Sequence, residues 1–162
     1  SPGGEIFYLM EMKLIFYIHR AVPILQEYGV GAPSALPFGN EKSYVYCVDS
    51  DGRWALEIKN LTKSQRYIFC WLDLGKTPSW VYSKGYSKRE NIPDYLDFIW
   101  KQSRKPDLVL IDGRFRVASF LTPIKNCELG TTIIFDNYPE RRHYHIVEEM
   151  VLPINFCGRQ AV

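Results

Sequence analysis

Five apolar runs of strand length recur along the chain, and segments with helical periodicity separate them. The predicted strands are Val22–Tyr28, Ser43–Val48, Arg66–Leu72, Asp107–Ile111 and Thr131–Phe135. The intervening and following segments predict helices over Asp51–Leu61, Asp94–Gln102, Arg114–Ile124 and Glu140–Met150. This alternation predicts an α/β fold: a doubly wound, mostly parallel sheet with helices on both faces.

The size and charge of the chain restrict what such a fold can do. Its 162 residues suit a single domain, which we divide into an N-terminal helical segment over about 1–20 and an α/β core over 21–162. The 20 Lys and Arg nearly balance the 18 Asp and Glu, which argues against a nucleic-acid-binding surface. The apolar runs are shorter than the roughly 20 residues of a membrane span, so we expect a cytoplasmic protein. The four cysteines, at 47, 70, 127 and 157, lack CxxC spacing, and we expect Cys47, Cys70 and Cys157 to be buried thiols.

Acidic or polar residues follow all five predicted strands. They are Glu27-Tyr28-Gly29, Asp49, Asp73, Asp112 and Asp136-Asn137. A single Asp at such a position often caps the following helix. Because parallel strands end at the same edge of a sheet, five such positions predict a cluster of acids where ligands bind in α/β folds.

The first strand ends in a glycine turn with an acid before it. Gly29 and Gly31 would let the backbone turn tightly and approach a ligand, and Ser34 stands where a third glycine is common. Asp49 follows Gly29 by 20 residues, where an acid can accept both hydroxyls of a ribose. A nicotinamide-dependent oxidoreductase would use the same pattern. Glu27 favours a different nucleoside, since its carboxylate would repel a pyrophosphate and attract an ammonium group.

With these motifs the chain resembles class I S-adenosylmethionine-dependent methyltransferases over about Val22 to Val162. Within that class, the sequence from Asp112 to Arg116 (DGRFR) resembles a little-characterised bacterial group. The resemblance implies that Glu27, Gly29 and Gly31 face the methionine part of the cofactor, that Asp49 holds the ribose and that Asp73 lies near the adenine. It implies methyl transfer to a hydroxyl of a small, anionic or neutral acceptor. Ser34 is also among the expected cofactor-binding residues. A non-catalytic binding module and a homo-oligomer are also compatible with the sequence.

Asp112, Asp136 and Asn137 form a set of hard oxygen ligands suited to Mg²⁺ or Ca²⁺. They are similar to the ligands of catechol-type O-methyltransferases, in which the metal orients the acceptor hydroxyl. The alternative is that Asp112 caps the next helix and pairs with Arg142. No lysine follows Asp112 to act as a base.

Arginines follow the same two strands. We predict that Arg114, Arg116 and Arg142 act with Asp112 in catalysis or bind an anionic group of the acceptor, as bidentate guanidinium groups do. In the alternative interpretation, they neutralise Asp112 and Asp136 within the protein. His143 and His145 are candidate bases of which only one can face a site, because they are two residues apart on a predicted helix.

Overall fold

The computed structural model describes residues 22–29, 43–54, 66–75 and 88–162, which contain a seven-stranded sheet. Its strands are β1 (Ile24–Tyr28), β2 (Tyr44–Asp49), β3 (Tyr67–Trp71), β4 (Leu108–Ile111), β5 (Thr132–Phe135), β6 (Phe156–Cys157) and β7 (Gln160–Ala161). The predicted helical segment over 1–20 lies outside the described residues. Of the predicted helix Asp51–Leu61, only the start is described, and it is helical from Gly52 to Trp54.

The strand order is β3-β2-β1-β4-β5-β7-β6. Strands β1 to β5 are all parallel, whereas β7 pairs antiparallel with both β5 and β6. The order differs from the doubly wound order 3-2-1-4-5-6 by the insertion of β7 between β5 and β6. The predicted α/β fold with a mostly parallel sheet is confirmed. The switch point of this sheet lies between β1 and β4.

Besides the helical residues Gly52 to Trp54, two α-helices and three 3₁₀ segments connect these strands in the described ranges. Helix α1 (Ile92–Asp97) lies between the 3₁₀ segments Arg89–Asn91 and Phe98–Lys101. Helix α2 (Arg116–Asn126) follows β4, and a 3₁₀ helix, Arg142–Glu149, follows β5 where we predicted a helix over Glu140–Met150.

Helix α2 continues three residues beyond Pro123, although we expected it to end near that proline. Proline lacks the N–H that would bond the carbonyl of Ser119. The hydroxyl of Thr122 donates to that carbonyl instead, at 2.9 Å. Helix α2 therefore tolerates its proline because a neighbouring side chain satisfies the exposed acceptor.

The main core lies between one face of the sheet and these helices. Tyr28 points into it, and its hydroxyl contacts the carbonyl of Leu96 at 2.6 Å, the hydroxyl of Thr122 at 2.7 Å and the indole N–H of Trp100 at 2.8 Å. The other face carries a second buried cluster, which comprises Leu25, Val45, Leu108, Leu110 and Ile134. Burial on both faces explains why these strands are almost continuously apolar.

The four cysteines are free thiols. Cys47 is buried as predicted, but Cys70 and Cys157 are partly exposed, because β3 and β6 are the edge strands of the sheet. No helix in the described ranges is long and apolar enough to cross a bilayer.

Candidate functional site

The acids predicted at the strand ends converge on one edge of the sheet, at which β1 to β5 all end. We call it the carboxyl edge. Asp49 is the last residue of β2, and Asp112 and Asp136 directly follow β4 and β5. Asp73 follows β3 by two residues. The parallel registers of β1 to β5 are what bring these acids to one side of the molecule.

At the switch point, the loops after β1 and β4 touch through their backbones. Gly29 has φ +86°, and a Cβ built on it would lie closer than 3.0 Å to Gly113. A Cβ on Gly113 would in turn meet the hydroxyl of Tyr95, which also hydrogen-bonds the backbone of Arg114. Only glycine fits either position, since one needs a left-handed conformation and both lack space.

Glu27 lies inside β1 rather than in the turn, and it is completely buried. It is in register with Cys47 of β2 and Leu110 of β4. Burial and, after it, the Glu27 carboxylate raise the pKa of the Cys47 thiol. Glu27 therefore lies one residue inside the carboxyl end of β1, beside Cys47 of the neighbouring strand.

Asp49 and Asp73 are each fixed by local backbone hydrogen bonds. An oxygen of Asp49 accepts the N–H of Asp51 at 2.7 Å, and the carboxylate remains partly exposed. An oxygen of Asp73 accepts the N–H of Gly75 at 2.9 Å, and Asn91 donates to the Asp73 carbonyl. Both acids are thus held at the carboxyl edge of neighbouring strands. Gly31 and Ser34 lie outside the described residues.

Arg116 connects the residues that follow β4 and β5. Its guanidinium donates to the carbonyl oxygens of Gly113, Asp112 and Asp136, and to the Asp112 carboxylate at 2.7 Å. Its Nη1 lies 3.6 Å from the second carboxylate, that of Asp136. Only 10% of the Arg116 side chain is exposed. These contacts match the interpretation in which arginines neutralise the acids, and Asp112 pairs with Arg116 instead of Arg142.

Asp136 is 2% exposed and has further partners from the β6–β7 hairpin. One of its oxygens accepts from Arg159 Nε at 3.0 Å and from the amide of Gln160 at 3.2 Å. We did not predict either contact. The sequence signal was weak, since Arg159 and Gln160 belong to a hairpin whose strands have only two residues each.

The carboxyl groups of Asp112 and Asp136 are neighbours. Burial, and then the Asp136 carboxylate, raise the pKa of Asp112 from 3.8 to about 7, while Arg116 opposes the increase. Asp112 therefore changes its charge near neutral pH, as an acid–base group requires.

The donor set at this position does not fit the predicted divalent cation. The Asp112 carboxylate accepts from Arg116 at 2.7 Å, and one oxygen of Asp136 accepts from Arg159 at 3.0 Å. Asn137 directly follows Asp136 and has φ +57°. The described residues contain no group of three His, Cys, Asp or Glu placed to hold a metal, so no further carboxylate, thiolate or imidazole joins Asp112 and Asp136 there. Arg116 and Arg159 place two positive charges beside these carboxylates.

The remaining basic candidates lie apart from this network. Arg142 and His143 are exposed on the 3₁₀ helix. His145 stacks on Tyr138 with ring centroids 4.8 Å apart, and its Nε2 is 3.2 Å from the Tyr138 carbonyl oxygen. Arg114 follows Gly113 and lowers the pKa of Asp51 in the loop after β2, although less than Arg53 does. Of these candidates, Arg114 is the one whose charge acts on an acid in the loop after a neighbouring strand.

The fold places this chain among the doubly wound α/β proteins with a mostly parallel sheet, and comparison with known proteins identifies a narrower family. The chain resembles the crystal structure of a methyltransferase-like protein from Silicibacter pomeroyi, with a TM-score of 0.78 and 31% identity over 94% of this chain and 82% of that one. The chain belongs to this methyltransferase-like family.

Two more distant structures share the fold. One is CalS11, a TDP-rhamnose 3′-O-methyltransferase of calicheamicin biosynthesis, with a TM-score of 0.58 and 14% identity over 98% of this chain and 78% of that one. The other is the C-terminal domain of precorrin-6Y C5,15-methyltransferase from Rhodobacter capsulatus, with a TM-score of 0.53 and 13% identity over 90% of this chain and 75% of that one. No protein-family model and no curated protein matches the chain.

Proposed function

We propose that the chain binds S-adenosylmethionine at the carboxyl edge of β1 to β3 and directs methyl transfer to a hydroxyl of a small molecule. The observation that carries this proposal is the contact between Gly29 and Gly113 at the switch point, with Asp49 at the end of the strand beside β1. Ligands of open α/β sheets bind at this position. Membership of a methyltransferase-like family supports methyl transfer as the reaction class.

The residues at this edge suit the parts of that cofactor. The Asp49 carboxylate is able to accept hydrogen bonds from ribose hydroxyls, and the buried Glu27 carboxylate matches an ammonium group. We assign the adenine to the turn after Asp73, and we include Gly31 and Ser34 among the cofactor contacts. When bound, S-adenosylmethionine supplies a methyl group activated by its sulfonium. The protein then needs mainly to align the acceptor and exclude water.

For the acceptor, we assign the proton-accepting role to Asp112. Its carboxyl lies at the end of β4, is 24% exposed and has a pKa near 7, so it can take a proton from a hydroxyl at neutral pH. Arg114 and the exposed Arg142 are the guanidinium groups available to an anionic acceptor, whereas Arg116 positions the carboxyl. CalS11 acts on a sugar hydroxyl, which supports a hydroxyl acceptor on this fold.

A methyl-transfer assay with matched acceptors tests this function. Phenols and sugars, with and without a carboxylate or phosphate, are incubated with the protein, and S-adenosylhomocysteine is quantified. The O-methyl ether of each acceptor serves as its control. We expect product from a free hydroxyl, none from its ether, and about 10²- to 10⁴-fold less with Asp112→Asn. Equal rates with the ether would contradict transfer to a hydroxyl, and unchanged rates with Asp112→Asn would contradict the proton-accepting role. Cofactor binding without turnover of any acceptor would favour the non-catalytic module.

A further inference from the structure

Arg116 occupies the place between two acidic strand ends at which a divalent cation is expected by resemblance to catechol-type methyltransferases. Its Nη2 is 2.7 Å from the Asp112 carboxylate, and its Nη1 is 3.6 Å from the Asp136 carboxylate. The same guanidinium also binds backbone carbonyls of the loops after β4 and β5. One side chain thus makes the contacts by which a cation would hold the two loops together.

The charges at this position are already balanced. Asp112 and Asp136 contribute two negative charges when ionised, and Arg116 and Arg159 contribute two positive ones. A divalent cation would add two positive charges to side chains that are neutral when both acids are ionised and positive when Asp112 keeps its proton. It would also lie next to guanidinium groups that cannot lose a proton. Repulsion at these distances is strong, because water is largely excluded around Asp136.

The backbone explains how an arginine reaches this place. Phe115 adopts a left-handed conformation, with φ +53°, immediately before α2 begins at Arg116. The chain therefore turns back over the end of β4, and the Arg116 side chain lies across the two loops instead of pointing into solvent. Its Nε donates to the carbonyl of Gly113 at 3.1 Å, which fixes the plane of the guanidinium.

We propose that the guanidinium of Arg116 is a built-in substitute for a divalent cation, and that this protein positions the ends of β4 and β5 without a metal. The inference does not depend on the identity of the methyl acceptor. The inference assigns Arg116 a positioning role between Asp112 and Asp136. It implies that a metal binds at these carboxylates only after the charge of Arg116 has been removed.

Calorimetric titration of the wild-type protein with Mg²⁺, Ca²⁺ and Mn²⁺ provides the first test. We expect no saturable binding up to about 10 mM, roughly tenfold above the range of weak calcium sites. The proposal would be overturned if the wild type bound one of these cations saturably and Asp136→Asn did not. That result would hold whatever the Arg116 variants show. Electron paramagnetic resonance of Mn²⁺ gives a second readout of binding that is independent of activity.

Two substitutions at one position provide the second test. Arg116→Gln removes the charge and keeps an amide donor, whereas Arg116→Lys keeps the charge and is the matched control. We expect Arg116→Gln to bind Ca²⁺ or Mn²⁺ with a dissociation constant of about 1 mM or lower, at least tenfold tighter than the wild type, and Arg116→Lys to bind neither. Adding Asp136→Asn to Arg116→Gln should abolish the binding.

The folding state of the variant, measured by circular dichroism, decides how the second test is interpreted. A folded Arg116→Gln variant that binds no metal would overturn the proposal. A variant that folds only when Ca²⁺ is added would support it, because the metal would then replace the lost guanidinium. If the variant folds in neither condition, the wild-type titration decides alone.

Discussion

The backbone of Gly29, after β1, lies directly against the backbone of Gly113, after β4, so that neither residue has room for a Cβ atom. Asp112 N donates to the Tyr28 carbonyl at 2.9 Å, and Gly29 N donates to the Val48 carbonyl at 2.8 Å. These hydrogen bonds connect the ends of β1, β2 and β4 at the place where we propose that the cofactor binds. The stability of this contact and the shape of the proposed site are therefore linked.

Gly29→Ala should destabilise the fold more than Gly130→Ala does. Both glycines have positive φ, +86° and +96°, so each substitution incurs about 1–2 kcal/mol of backbone strain. A Cβ at Gly130 has nothing within 4 Å, whereas one at Gly29 meets Gly113. Urea denaturation measures both free energies of unfolding. An equal decrease in the free energy of unfolding for the two variants would contradict the close contact, because it would show that the loops after β1 and β4 separate easily.

Asp136→Asn should lower the free energy of unfolding by about 3–5 kcal/mol, because it removes the buried counter-charge of Arg159 and leaves Arg116 only the Asp112 carboxylate. The matched control is Asp94→Asn. Asp94 pairs with Lys101 at 3.0 Å, but both side chains are more than 60% exposed, and the loss should stay within about 0.5 kcal/mol. A loss at Asp136 as small as that at Asp94 would mean that the buried network contributes no stability.

The pKa of Asp112 predicts a particular pH dependence of stability. The folded protein keeps this proton up to about pH 7, whereas the unfolded chain releases it near pH 4. Between these values the unfolded state binds fewer protons, so the contribution of Asp112 to stability falls as the pH rises, by at most about 1.4 kcal/mol per pH unit.

Asp112→Asn isolates this effect, since asparagine resembles the protonated acid. The free energy of unfolding of the wild type, minus that of the variant, should fall from pH 4 to pH 7 and level off above it. Urea titrations at intervals of half a pH unit measure the difference. A difference that rises with pH would mean that Arg116 and Arg159 outweigh the burial of Asp112 and its repulsion by Asp136.

Asp49→Asn should weaken binding of S-adenosylhomocysteine by about 10- to 100-fold, because hydrogen bonds from ribose hydroxyls to a carboxylate contribute about 1.5–3 kcal/mol. The asparagine still offers an oxygen to the N–H of Asp51. Asp107→Asn is the control, since Asp107 precedes β4 at the opposite edge of the sheet and accepts the N–H of Ile24. Calorimetry measures both affinities. Equal losses in the two variants would exclude a specific role for Asp49.

The parallel strands could be predicted from sequence because burial on both faces leaves a continuous apolar run. We predicted Asp107–Ile111 and found β4 at Leu108–Ile111. The convergence of Asp112 and Asp136 followed from the same pattern, since neighbouring parallel strands end together. The antiparallel hairpin of β6 and β7 was not predicted, because two-residue strands carry no periodic signal.

The partner of Asp112 could not be predicted. Three arginines lie close enough to Asp112, in sequence or in topology, to pair with it: Arg114, Arg116 and Arg142. The left-handed conformation of Phe115 decides among them, because it turns Arg116 back over the strand ends. That conformation is uncommon for a residue other than glycine, and nothing in the sequence indicates it.

Binding of S-adenosylhomocysteine to the wild-type protein tests the central claim most directly. Thermal unfolding is recorded with S-adenosylhomocysteine, S-adenosylmethionine, NAD and NADP, each at 100 times its fitted dissociation constant or at the solubility limit. We predict stabilisation by about 2.7 kcal/mol, a rise in Tm of about 5–10 °C, with the first two ligands and none with the dinucleotides. A shift with NAD or NADP alone, or with none of the four, would contradict a methyltransferase cofactor site at this edge.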